Sequence, residues 1–167
     1  VPARGGIGED VHNQANTICA KMAKNTRSQY RVLHFPDEVS DEMYKTVMKE
    51  PAMIEMMELI RSASVVLHGI GNAITMALRR RTPQYIIEKL KEKKAVSEAF
   101  GYYFNEDGEV VHKVNTIGMK LEDLKNTRYV IAVAGGSSKA KAIRSYMKQA
   151  PQNTILITDE GAAELLL

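Results

Sequence analysis

Tyr129-Val130-Ile131-Ala132-Val133-Ala134-Gly135-Gly136-Ser137-Ser138-Lys139 is an apolar run that ends in a glycine–serine turn and a lysine. The run lacks polar–apolar alternation, as expected of a strand covered on both faces. A helical pattern follows to about Lys148. The order of strand, glycine-bearing turn and helix recurs around it. Upstream, Ser64–His68 leads into Gly69-Ile70-Gly71 and a helix from about Asn72. Downstream, Asn153–Thr158 meets Asp159, a capping residue for a helix through Leu166. At the beginning, Val1–Gly8 precedes a helix from about Asp10 to Lys24, with Val11, Ala15, Ile18, Cys19 and Met22 at helical spacing. These units predict an α/β domain: a Rossmann-like, mainly parallel sheet with helices on both faces. The units share no fixed period, which excludes a solenoid.

The segments between the units carry their own signals. An extended run, Tyr30–Phe35, stops at Pro36. Ser40 is placed to cap a helix that starts with Asp41 and Glu42, and Pro51 suits the first turn of the next. Met53, Met56, Met57 and Ile60 form one face of that second helix, read as core or as a subunit contact. Thr82-Pro83 repeats the cap-then-proline pattern for a helix over Pro83–Lys93. Ala95–Phe104 reads as extended, Asn105-Glu106-Asp107-Gly108 as a turn, and Glu109–His112 as the returning strand. This is a β-hairpin excursion from the regular alternation.

Composition narrows the function classes. The 167 residues suit one domain, and 44% hydrophobic content excludes a disordered segment. The net charge of +3 comes from mixed signs, so no nucleic-acid stripe emerges and an anionic small molecule fits at least as well. The single cysteine, Cys19, excludes an internal disulfide and suits a reducing, cytoplasmic setting; its helical context reads as a buried small hydrophobe. No apolar run approaches the roughly 20 residues of a membrane span, and no secretory leader pattern is visible. Val1-Pro2-Ala3-Arg4-Gly5-Gly6 reads as a strand tail entering a loop. The expectation is a chain that starts mid-domain, with any DNA-reading module outside it.

Ligands of open α/β sheets bind beyond the carboxyl ends of the strands. Three glycine-bearing loops are expected there: Arg4-Gly5-Gly6, His68-Gly69-Ile70-Gly71 and Gly135-Gly136-Ser137-Ser138-Lys139. In the last, Gly135 and Gly136 allow close backbone approach, and Ser137 and Ser138 offer hydroxyls. The following helix presents unpaired N–H groups and its positive dipole end. Lys139 opposes that dipole, which a bound phosphate would explain; the alternative is an ordinary turn capped by serine. Arg4 has the planar fork for bidentate phosphate contact, or is a surface arginine. Gln14 lies one helical face further along.

Glu98 stands in an uncharged run and must find donors or stay solvated. It reads as an acceptor for sugar hydroxyls, as a general base, or as an edge-strand glutamate. Arg79-Arg80-Arg81 is a second anion contact or a solvated helix end. His68 is a ligand contact or a satisfied histidine. Gly69-Ile70-Gly71 lacks the third glycine of a dinucleotide loop, with Ile74 in its place, so no nucleotide cofactor is supported. The histidines show no metal spacing.

Val1-Pro2-Ala3-Arg4-Gly5-Gly6, His68-Gly69-Ile70-Gly71, Glu98-Ala99-Phe100-Gly101-Tyr102-Tyr103-Phe104-Asn105-Glu106-Asp107-Gly108 and Ala134-Gly135-Gly136-Ser137-Ser138-Lys139 together resemble the sugar-binding domain of SorC-family regulators. The resemblance covers essentially the whole chain. It implies a fold similar to glucosamine-6-phosphate deaminase and ribose-5-phosphate isomerase. It also implies that residues 1–167 bind a sugar-phosphate effector within a homodimeric or homotetrameric transcription repressor. Such a repressor reads operator DNA through an N-terminal winged or helix-turn-helix module and is no enzyme.

In a Gram-positive branch of the family the effector is fructose 1,6-bisphosphate, whose binding releases glycolytic genes. At matching positions the resemblance makes Arg4 and Lys139 phosphate ligands, Gln14 and Glu98 ligand contacts, and Arg79 a contact to a second phosphate. A Gly-Thr-Thr-type loop that the family uses for phosphate has no counterpart in this sequence. The competing reading is an aldose–ketose isomerase or deaminase with Glu98 as base; shared fold alone is a weak warrant for it.

Overall fold

The computed structural model describes residues 1–6 and 11–167. Its contacts divide the chain into two compact units, Val1–Ala63 with Asn115–Lys120, and Ser64–Val114 with Leu121–Leu167.

The first unit holds α1 (Ala15–Thr26), α2 (Asp41–Val47) and α3 (Pro51–Arg61). Ser40 caps α2 by accepting the Met43 N–H, and Pro51 opens α3. Met53, Met57 and Ile60 are buried on the expected face of α3. Two expectations fail here. The first strand is replaced by backbone bridges, Arg4 with Gly118 and Gly6 with Pro36, and Tyr30–Phe35 forms no strand. The expected strand end at Gly8 and helix start at Asp10 lie outside the described residues. What holds Arg4–Gly6 is nonlocal: Gly5 N–H donates to Ile117 O, Gly6 N–H to Phe35 O, and Met119 N–H to Ala3 O. A Cβ on Gly5 would lie 2.6 Å from the carbonyl oxygens of Phe35 and Pro36, so only glycine permits this approach.

Helix α1 also differs from its reading. It begins at Ala15, after a 3-10 turn over Val11–Asn13, and its face is inverted in exposure. Val11, Ile18 and Met22 are exposed, Cys19 is half-buried, and Ala23 is the buried residue. Helical spacing identifies a face, but not whether anything covers it.

The second unit contains two sheets. Strands β1 (Val65–Gly69), β6 (Tyr129–Val133) and β7 (Thr154–Ile157) form a parallel sheet in the order β1-β6-β7. Strands β2 (Gly71–Asn72), β3 (Ala95–Ala99), β4 (Tyr102–Asn105) and β5 (Val110–Lys113) form an antiparallel sheet in that order. The parallel strands come from three of the expected units, with α4 (Ala73–Arg79), α6 (Ala140–Met147) and α7 (Glu160–Leu166) after them. Val66, Val130 and Ala132 are buried on one side of the sheet. Val65, Leu67, Tyr129, Val133, Ile155 and Ile157 are 43–51% exposed on the other. The lack of alternation was therefore misleading: both faces are apolar, but one is covered.

The hairpin excursion proves to be a larger element. Ala95–Phe104 folds back on itself at Phe100 and Gly101, both at positive φ, and Ala99 pairs with Tyr102. A two-residue connection with left-handed dihedrals matches the twist of the strands it joins. The turn was missed because Phe100 has no turn propensity. Helix α5 spans Gln84–Glu92 with Pro83 at its cap; Thr82, expected to cap it, has a buried hydroxyl without a hydrogen-bond partner. Helices α4 and α6 both pack on β3, which fixes the antiparallel sheet.

Candidate functional site: a glycine–serine anion loop

Strands β1 and β6 are neighbours, with Gly69 opposite Val133, so their carboxyl-terminal loops leave the sheet side by side. These are the second and third glycine-bearing loops of the sequence. Lys139 joins them: its ammonium donates to the Ile70 carbonyl at 3.1 Å. After β6 the chain makes a 3-10 turn, Ser137–Lys139, and enters α6. No side chain caps either helical start. The reading of this loop as an ordinary serine-capped turn is therefore unsupported. Lys139 N–H donates to Gly136 O and closes the turn.

The Gly136 N–H is engaged by a partner in the fold. It donates to Asp159 Oδ2 at 2.7 Å, while Asp159 Oδ1 accepts the Ala162 N–H at 2.9 Å and caps α7. The amides of Gly136 and Ala162 hold the Asp159 carboxyl below its usual range. Sequence reading found the cap but not the bond to the loop, because the two lie on different βα units.

Glu98 sits on β3, between β2 and β4, so the edge-strand reading is wrong. It finds the donors its context demands. Oε1 accepts from Gly101 N–H at 2.7 Å and from Arg80 Nη2 at 3.1 Å, while Arg80 Nη1 donates to Tyr103 Oη at 3.1 Å. The Arg80 and Glu98 side chains are 2% and 5% exposed. Arg79, the residue expected to meet a second phosphate, ends α4 exposed to solvent. Within the Arg79-Arg80-Arg81 cluster it is Arg80 that turns inward to Glu98, and helical spacing points to it. It follows the buried Ala73 and Ala77 at the i, i+4, i+7 positions of one face.

His68 is a satisfied histidine. Its Nδ1 is 3.1 Å from Gly69 O and its Nε2 3.1 Å from Tyr146 Oη. A neutral ring with the proton on Nδ1 donates to the carbonyl and accepts from the phenol, so one tautomer meets both bonds. Burial lowers the His68 pKa and raises that of Tyr146.

Arg4 and Gln14 belong to the first unit. The Arg4 fork is bidentate, as anticipated, but toward a carboxylate. Nε meets Asp37 Oδ1 at 2.8 Å and Nη2 meets Asp37 Oδ2 at 2.6 Å. Asp37 is buried and carried no sequence signal. Gln14 precedes α1, with its Oε1 3.0 Å from where a Cβ on Gly6 would lie. Arg4 and Gln14 thus approach the same glycine segment. Among the described residues, no group of three His, Cys, Asp or Glu side chains could hold a metal, and no helix is long and apolar enough to cross a membrane.

A parallel sheet with glycine loops at its carboxyl ends, and a cation bridging two of them, defines an α/β domain with its candidate ligand loops at one edge. The family described as "Putative sugar-binding domain" matches residues 1–167, and the chain belongs to this family, the sugar-binding domain of SorC-type regulators. It is 64% identical over its whole length to the central glycolytic genes regulator of Priestia megaterium, and 56% identical to that of Bacillus subtilis. It spans 48% and 49% of those proteins, about half the length of the curated relatives it matches. A SorC family transcriptional regulator from Enterococcus faecalis has the same fold, with a TM-score of 0.90 at 50% identity. The match covers 99% of this chain and 67% of that one. These relatives are named as regulators and not as enzymes, so they lend no support to the isomerase or deaminase reading of Glu98.

Proposed function

We propose that this chain is the effector-sensing domain of a bacterial repressor of glycolytic genes, and that its effector is a sugar phosphate, fructose 1,6-bisphosphate first among candidates. The reading draws on the names of its relatives and on one observation. The Lys139 ammonium, next to a backbone turn at the carboxyl end of a parallel strand, rests on a neutral carbonyl. A phosphoryl group would replace that contact with a charge-assisted one. Gly135, Gly136, Ser137, Ser138 and Lys139 form the loop that receives it. Glu98, held by Arg80, accepts from sugar hydroxyls. Arg79, Arg4 and Gln14 are further effector contacts, each to be tested by its own substitution.

In this reading the whole regulator is a cytoplasmic homodimer or homotetramer. It binds operator DNA through a separate N-terminal module, and the effector loosens that grip. At about 100 times its Kd, a ligand of the native state adds roughly 2.7 kcal/mol of stability. Thermal melts of the intact regulator with a panel of sugar phosphates should show this shift for fructose 1,6-bisphosphate. The same compound should release operator DNA in a gel shift. A panel that leaves both the melting temperature and the DNA complex unchanged rules the proposal out.

A further inference from the structure

We propose that Asp159 is the positioning residue of the loop over 135–139, and that through this loop it sets the affinity for a phosphorylated ligand; the inference rests on the sugar-phosphate reading above. Strands β6 and β7 pair in parallel with Val133 opposite Ile157, and Ala134 N–H continues the pairing onto Ile157 O at 3.1 Å. The ends of both strands are therefore fixed where the loop begins and where Asp159 follows. One carboxylate then ties the two together, with one oxygen on Gly136 N–H and the other on Ala162 N–H.

Gly135 fits the same account. A Cβ there would lie 2.7 Å from Asp159 Oδ2, so the glycine makes room for the carboxylate. Gly136 is at φ 93 and is held on both sides, its N–H by Asp159 and its carbonyl by Lys139 N–H. That sets the peptide planes of the Ser137–Lys139 turn and the start of the lysine that reaches Ile70. Ordering the loop before a ligand arrives removes that entropy cost from binding. The carboxylate charge works the other way, by repelling a dianion. Its contribution is thus geometric.

Three substitutions in the intact regulator separate helix capping from loop positioning. Asp159→Asn keeps one acceptor oxygen for the cap of α7 but sets an NH2 group, a donor, against the Gly136 N–H. It should keep most of its stability yet bind fructose 1,6-bisphosphate more weakly than wild type, although the repelling charge is gone. Asp159→Ser keeps the cap of α7, since serine caps as well as aspartate, but has one oxygen in place of two. It should melt close to wild type yet bind about tenfold more weakly, the scale of one charged hydrogen bond. Asp159→Ala should lose both.

Hydrogen–deuterium exchange of the peptide bearing Gly136 supplies a readout that needs no ligand. Exchange should quicken in all three variants, since none keeps the second acceptor oxygen. Wild-type affinity and wild-type exchange in Asp159→Ser would make Asp159 a helix cap and nothing more, leaving the sugar-phosphate reading intact. Failure of the wild type to bind fructose 1,6-bisphosphate or inorganic phosphate overturns that reading and this proposal with it.

Discussion

Arg4 in the first unit and Lys139 in the second were anticipated as equivalent phosphate ligands, and the fold treats them differently. Arg4 grips Asp37 through two bonds of 2.8 and 2.6 Å, with side chains 14% and 3% exposed. Lys139 donates to a peptide carbonyl at 3.1 Å. An arginine facing a buried carboxylate stabilises its own unit whether or not a ligand arrives. An ammonium on a neutral carbonyl gives up little when an anion replaces that contact. Two cations with the same expected role therefore divide into one locked to a buried carboxylate and one resting on a neutral carbonyl.

The third cation, Arg80, marks the structural extreme. Removing it with Arg80→Met leaves Glu98 buried without its guanidinium, and should lower stability by about 3–5 kcal/mol. Replacing both partners with apolar side chains should recover most of that loss. Denaturant midpoints decide the matter, and a stable single variant would show the pair to be dispensable. Next, Arg4→Ala should weaken effector binding by about 1.5–3 kcal/mol and also destabilise the fold by about 1–3 kcal/mol, because the buried Asp37 loses two bonds from the Arg4 guanidinium. Lys139→Met should weaken binding on the same scale but lower stability by no more than about 1 kcal/mol, the net value of its bond to the Ile70 carbonyl. Calorimetric titration paired with urea melts separates the two; equal stability losses erase the contrast.

A smaller effect is expected from Ser40→Ala, about 1 kcal/mol through loss of the bond to Met43 N–H. The smallest is a pH effect. His68 and His112 both have lowered pKa values in the fold, so the unfolded chain binds more protons below about pH 6.5. Stability should then fall as pH drops from 6.5 through their folded values. His68→Gln should flatten that slope in melting-temperature series; an unaltered slope would assign the effect elsewhere.

The βα units of the second half could be read from the chain, because each depends on local signals. Val65-Val66-Leu67 and Val130–Val133 are short apolar runs, Asp159 is a cap, and Gly135-Gly136 marks a turn. The loop over 135–139 was therefore found in advance. The hairpin at Phe100-Gly101 was not, since it depends on a bulky residue held at positive φ by its surroundings. The strand expected at the start of the chain is absent, because what holds Arg4-Gly5-Gly6 comes from near Phe35 and Ile117, remote in the chain. Asp37 stayed invisible for the same reason.

The sequence by itself determined the residue types at the candidate site, the three parallel strands of the second unit and the caps at Ser40 and Asp159, since apolar runs, glycines and capping residues act over a few positions. Only the tertiary structure decided which charges neutralise one another. Arg4 with Asp37, Arg80 with Glu98, and Gly136 with Asp159 are pairings between distant segments, and electrostatic and hydrogen-bond energies depend on distance in space.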